Sequence, residues 1–148
     1  MRIDFVKMHG LGNDFIVFDA PADGELPDGQ AWRRLADRHT GIGFDQALVM
    51  HPPRSAGAQV FYRIFNSDGA EVEQCGNGAR CIAALVSRRM GLGPGDIIMD
   101  SPGGRVHARV RPDGRVSVQM GVPDFSPRAL PFDAPEEAHT YVLEAAGQ

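Results

Sequence analysis

Cysteine is scarce in this chain of 148 residues, which carries two, Cys75 and Cys81. That is too few for the disulfide framework of a small secreted domain, so a reducing cytoplasm is the expected setting. Long apolar runs are missing too, and none approaches the length that crosses a bilayer. The start, MRIDFVKMHG, lacks the apolar stretch of a secretory leader because Asp4, Lys7 and His9 interrupt it. Positive charge is not in excess either. The formal net charge is -4, and the doublets Arg33-Arg34 and Arg88-Arg89 read as solvated helix faces, so neither nucleic acid nor a membrane is an expected partner. No second cysteine pair or histidine pair stands at ligand spacing, so no metal site is expected. Repeats and low-complexity tracts are absent.

What is present suits a globular fold. The apolar share is 43% and the charged share 23%, and the length allows one domain with its own core. Ile3 to Met8 and Phe15 to Asp19 read as strands on either side of a loop from His9 to Asp14. Pro27-Asp28-Gly29 opens a helix with Asp28 as cap, and Trp32, Leu35, Ala36 and His39 follow at helical spacing. Gly41-Ile42-Gly43 ends it, and Ala47 to Met50 reads as a strand. Val60 to Phe65 and Ala70 to Gln74 form an expected hairpin around Ser67-Asp68-Gly69. Ile82 to Val86 is apolar on nearly every side, which marks a buried helix that Gly91 stops. Period two then returns over Ile97 to Asp100, Arg105 to Val110 and Arg115 to Met120, an expected antiparallel meander. From Val122 to Glu137, Pro123, Pro127, Pro131 and Pro135 read as a linker, and His139 to Leu143 as the start of another strand. The expected fold class is α+β, a mostly antiparallel sheet curled around a central buried helix.

The segment Cys75-Gly76-Asn77-Gly78-Ala79-Arg80-Cys81 stands where a strand ends and that buried helix begins. The first N–H groups of a helix lack internal partners and lie at the positive end of its dipole. A thiol at such a place has its thiolate form favoured, and the N–H groups of Gly76 and Asn77 can hold a carboxylate. A reactive sulfur beside an anion site is the equipment for moving a proton at a carbon next to a carboxylate. The plainer reading is open for each residue. A cysteine in a cytosolic domain is more often a small buried hydrophobe, and Asn13 and Asn66 sit in turns where asparagine is common. Cys81, in the apolar body of the helix, is expected to pack. Six helical steps put it about 9 Å from Cys75, too far for a disulfide.

Lys7-Met8-His9-Gly10-Leu11-Gly12-Asn13-Asp14-Phe15, Gly41-Ile42-Gly43-Phe44-Asp45-Gln46 and Phe65-Asn66-Ser67-Asp68-Gly69, followed by the Cys75 segment, occur in the order and spacing of the diaminopimelate epimerases. The chain resembles that family, which is grouped with proline racemases and phenazine-biosynthesis isomerases. The resemblance implies one of two similar domains, with Cys75 as one of two thiols facing the substrate α-carbon from opposite sides. It implies that Gly76 and Asn77 bind the α-carboxylate, and that Asn13, Gln46 and Asn66 contact the polar groups of diaminopimelate. It also implies inversion of LL-diaminopimelate to the meso form, for lysine and cell-wall precursor synthesis, with no cofactor and no pyridoxal phosphate. Residues 1–121 would form the amino-terminal domain, and 122–148 a linker and the start of a missing second domain that brings the other thiol. The chain alone is then expected to be inactive, and the full-length enzyme a possible homodimer. Arg80 is expected to order the motif by salt bridging, His9 and Asp14 to shape their loop, and His39, His51 and His107 to be ordinary surface or satisfied histidines. Competing readings are a proline or hydroxyproline racemase domain and a non-catalytic amino-acid-binding module. A redox-sensing thiol protein would need a resolving cysteine that the sequence does not show.

Overall fold

Alternating branched and aromatic residues put more of this chain into strands than into helices. The computed structural model, which describes residues 3–22 and 24–143, places eight of them in one sheet. They are β1 (Val6–Gly10), β2 (Asn13–Asp19), β3 (Gln46–His51), β4 (Val60–Asn66), β5 (Glu71–Val72), β6 (Gly95–Ser101), β7 (Gly104–Val110) and β8 (Val116–Val118). Their order is β1-β2-β3-β4-β6-β7-β8, with β5 paired to β4 alone. Only β2–β3 and β4–β6 are parallel, so the sheet is mostly antiparallel, as expected. A parallel pair needs a crossover, and each of the two α-helices lies in one. Helix α1 (Gly29–Ala36) falls between β2 and β3, and α2 (Gly76–Met90) between β4 and β6.

The two helices cover opposite faces of the sheet. Phe15, Val17, Leu48, Met50, Tyr62 and Ile64 pack with Ile82, Leu85 and Val86 of α2. Their alternates Ile16, Phe18, Ala47, Val49 and Phe65 pack with Trp32 and Ala36 of α1 and with Phe44. Burial on both faces is why β2 and β3 read as continuous apolar runs. Helix α2 touches β1 and β2 on one side and β6, β7 and β8 on the other, so the sheet curls around it. Gly91, at φ 63°, closes its carboxyl end. On the outer face Trp32 stacks on Phe65 at 5.5 Å between centroids and meets Phe44 edge-on at 6.3 Å.

Several boundaries differ from expectation. The first strand spans Val6–Gly10 rather than Ile3 to Met8, and the loop shrinks to Leu11-Gly12, because the β1–β2 ladder continues through Met8–Phe15 and His9–Asp14 to Gly10–Asn13. Helix α1 stops at Ala36, before His39, because the Asp37 carboxylate accepts from the N–H groups of His39 and Thr40 and pulls the chain into a turn. β5 and β8 are shorter than their apolar patterns. His139 to Leu143 forms no strand; a 3-10 turn over Pro127–Ala129 and an edge contact of Phe132 with Tyr141 are what that region shows. Residues 144–148, the end of the span expected to hold the linker and the start of a second domain, lie outside the described residues. Among the described residues no helix is long and apolar enough to cross a membrane.

Candidate active site

Register decides which polar side chains meet. Successive residues of a strand face opposite sides, and Phe15, Val17, Leu48, Tyr62 and Ile64 fix the α2 side. By the same parity Asn13 on β2, Gln46 on β3 and Asn66 on β4 face α2. Gln46 lies directly across the ladder from Asn66, and Phe15 across from Gln46. All three polar residues stand at one end of the inner face. That end lies under the first turn of α2. A Cβ placed on Gly10 would come 3.2 Å from the Cβ of Asn77, so β1 runs close beneath that turn.

Cys75 is the N-cap of α2. It is extended at φ -148° and ψ 107°, its sulfur accepts from Gly78 N at 3.4 Å, and its carbonyl accepts from Ala79 N at 2.8 Å. The thiol therefore takes the place of the usual capping oxygen. The N–H groups of Gly76 and Asn77, in the first turn of α2, have no partner within the helix, as at any helix start. Across the gap Asn13 Oδ1 lies 3.7 Å from Cys75 Sγ. Gln46 Nε2 donates to Asn66 Oδ1 at 2.8 Å, and Gln46 Oε1 is buried without a hydrogen-bond partner. A buried acceptor left open costs about 1–3 kcal/mol, which an arriving donor recovers.

Beside Cys75 a cavity of about 160 Å³ is lined by Tyr62, Gln74, Arg105, Gln119 and Met120. Burial, together with the neighbouring Cys75, pushes the Tyr62 phenol up to about 12. Cys81 lies deeper in the helix, 5% exposed, and burial pushes its thiol up to about 11. Arg80 hydrogen-bonds the Asn77 side-chain oxygen. It orders the motif through a neighbouring amide, and the expected salt bridge is not found among the described residues.

The outer rim is ionic. Asp14, by parity on the α1 side, accepts from Arg38 at 2.7 and 3.1 Å and pairs with Lys7 at 2.8 Å. The Arg38 guanidinium is the main cause that holds its carboxyl well below the usual range. Asp14 is thus a strand residue in a charge cluster, and more than a loop shaper. Asp45 joins the cluster through Arg38 and reaches over the rim to Asn13 Nδ2 at 2.9 Å. His51 departs from expectation: its Nε2 is buried and unpartnered, and burial, then Arg54 and Arg63, lower its pKa.

The structure brings Cys75, Asn13, Gln46, Asn66, Gly76 and Asn77 into one neighbourhood. Tyr62, Asp45 and Met120 were not singled out from sequence. Tyr62 shares the parity of Asn66 on β4, a signal that was available. Met120 lies against Gly76, 3.2 Å from where a Cβ would stand, and no spacing rule points to it.

Comparisons with known proteins bear on the family and the fold. A curated diaminopimelate epimerase from Stutzerimonas stutzeri (strain A1501) is 46% identical over all 148 residues, and the chain spans 54% of that relative's length. Among solved structures, a methylitaconate-delta-isomerase superposes with a TM-score of 0.61 at 18% identity, over 90% of this chain and 40% of that one. A hydroxyproline epimerase from Agrobacterium vitis, with trans-4-hydroxy-L-proline bound, gives 0.60 at 16% identity over 80% and 41%. At such identities the two share the fold. The sequence profile described as Diaminopimelate epimerase matches residues 5–126, a span that holds every residue of the site described above. The chain belongs to the diaminopimelate epimerase family.

Proposed function

We propose that this chain supplies one face of a two-base, cofactor-independent epimerase site that converts LL-diaminopimelate to the meso form. The observation that carries the proposal is the convergence of Cys75 Sγ, the open first turn of α2 and three side-chain amides at one end of the inner sheet face. The 46% identical relative, curated as a diaminopimelate epimerase, supports the substrate.

The α-proton of an amino acid is very weakly acidic, so negative charge that builds up on the carboxylate needs stabilisation. The N–H groups of Gly76 and Asn77, at the positive end of α2, supply it without reorganising. The unpartnered Gln46 Oε1 and the Asn13 Oδ1 are acceptors suited to an ammonium group. Cys75 Sγ takes the α-proton in one direction and returns one in the other, while a group on the opposite face does the reverse. Cys81 does not fill that second role, since it is buried in the same helix. The second group then comes from outside residues 1–148, in line with a relative of nearly twice this length. The chain's single lysine, Lys7, is held by Asp14 on the outer face, so these residues offer no amine for a pyridoxal phosphate Schiff base.

The test is solvent-deuterium incorporation at the α-carbon together with the appearance of meso product. In the whole protein, Cys75→Ala is expected to abolish both while leaving the fold intact. Inversion at near wild-type rate would make Cys75 structural. Residues 1–148 alone are expected to give no meso product, and robust product from them would overturn the two-face reading.

A further inference from the structure

We infer that Asp45 is a positioning residue that holds the Asn13 amide with its oxygen, and not its NH2, towards the sulfur of Cys75. The inference rests on Cys75 being the reactive group of the site, yet its test needs no turnover.

An ionised carboxylate offers acceptors only. Asp45 Oδ2 accepts from Asn13 Nδ2 and from Asp14 N, each at 2.9 Å, and Oδ1 accepts from Arg38 Nη2 at 2.8 Å. The Asp45 N–H in turn donates to Asp14, whose carboxylate grips the same Arg38. Asp45 is therefore fixed from several sides. An amide has one donating and one accepting end. With Nδ2 spent on Asp45, Oδ1 turns inward and stands 3.7 Å from Sγ. Opposite, Gly78 N–H points at the same sulfur from 3.4 Å. The sulfur so lies between one acceptor, which suits its protonated form, and one donor, which suits its anion. Asp45 sets the acceptor half of that balance without touching Cys75.

The variant that separates the two ends is Asp45→Asn. Its oxygen is expected to stay on the charged Arg38 and to give up the hydrogen bond from Asp14 N, which leaves its NH2 towards Asn13. The Asn13 amide then turns over and presents NH2 to the sulfur. Tyr62 from β4, Arg105 from β7 and Cys81 from α2 also surround Cys75 or its cavity, and Arg80 lies beside Gly76 and Cys81. They are common to every variant compared, as are Lys7, Asp14 and Arg38 beyond Asn13.

The readout is iodoacetamide labelling of the full chain followed by peptide mapping across pH, with the buried Cys81 as the internal control for folding. Asp45→Asn is expected to label Cys75 roughly tenfold faster near neutral pH, the scale of a hydrogen bond gained by a charged group, with the pH profile moved to lower pH. In an Asn13→Ala background the same change is expected to do nothing. An unchanged Cys75 rate, or an effect of equal size without Asn13, overturns the inference. If Asp45→Asn exposes Cys81 and so has unfolded, NMR of the unsubstituted chain decides. The Asn13 side-chain NH2 resonances are expected to follow protonation of the Asp45 carboxylate, and resonances indifferent to it overturn the inference. Inversion that survives Cys75→Ala would instead sink the proposed function, so the two failures are told apart.

Discussion

At the scale of the residue, Leu11 is, among the described residues, the one side-chain-bearing position with a positive φ. Leu11 at φ 55° and Gly12 at φ 89° make a two-residue turn with both central positions left-handed, a turn that favours asparagine-glycine. A leucine there costs about 1–2 kcal/mol, and at 92% exposure its side chain gains nothing from burial. Leu11→Asn is therefore expected to stabilise the chain by about 1 kcal/mol, read as a rise of several degrees in the melting midpoint. A lower midpoint would mean the leucine holds a contact that outweighs its backbone. Sequence alone made Asn13 a turn residue, because it falls in the loop from His9 to Asp14 that carries two glycines. The strand ladder that claims it is a non-local fact. The same holds for its meeting with Cys75, 62 positions away, which only family resemblance suggested and only register explains.

At the scale of the element, helix α1 shows what local chemistry can and cannot tell. Its start was legible in Pro27-Asp28-Gly29, and Asp28 Oδ1 does accept from Ala31 N at 2.7 Å. Its end was not, because helical spacing runs on through His39 while the Asp37 side chain offers the backbone a competing turn. The helix has eight residues, too few to be stable alone, so it depends on Trp32 packed among Phe18, Phe44 and Phe65. Trp32→Ala is expected to cost about 3–5 kcal/mol in urea unfolding. A loss below 1 kcal/mol would show that the outer layer does not support the sheet. The parallel pairings were equally hidden, since they depend on which face each crossover helix chooses, and both faces of β2 and β3 are apolar.

At the scale of the whole molecule, the ionisable groups frame a stability plateau. His51 is a base whose folded pKa lies below its ordinary 6.5, so the unfolded chain binds its proton first and stability falls as pH drops below that value. Asp14, Glu71, Asp96 and Asp100 are acids lowered from ordinary values of 3.8 for aspartate and 4.5 for glutamate, chiefly through partners such as Arg38, Arg63, Arg109 and Ser55. Their contribution is complete above those values and is lost as pH falls through the lower, folded ones. Cys81 is an acid raised from 9.0 to about 11, so its contribution is lost as pH rises past 9.0. The expected urea midpoint is flat between about pH 6.5 and 9, declines gently below 6.5 and more steeply below 4, and declines again on the alkaline side. A midpoint that rose on acidification from pH 6.5 to 5 would contradict the burial of His51.

The two-residue span between Gly10 and Asn13 carries a consequence for changes in length. One added residue there that displaced β2 by a single step would exchange the sides taken by Asn13 and Asp14. The Asp14 carboxylate would then take the place of Phe15 on the α2 side, and the amide would face the arginine. Such an insertion would invert the polarity of the site floor without altering any existing side chain. Substitutions should be borne at Leu11 far more readily than any indel beside it.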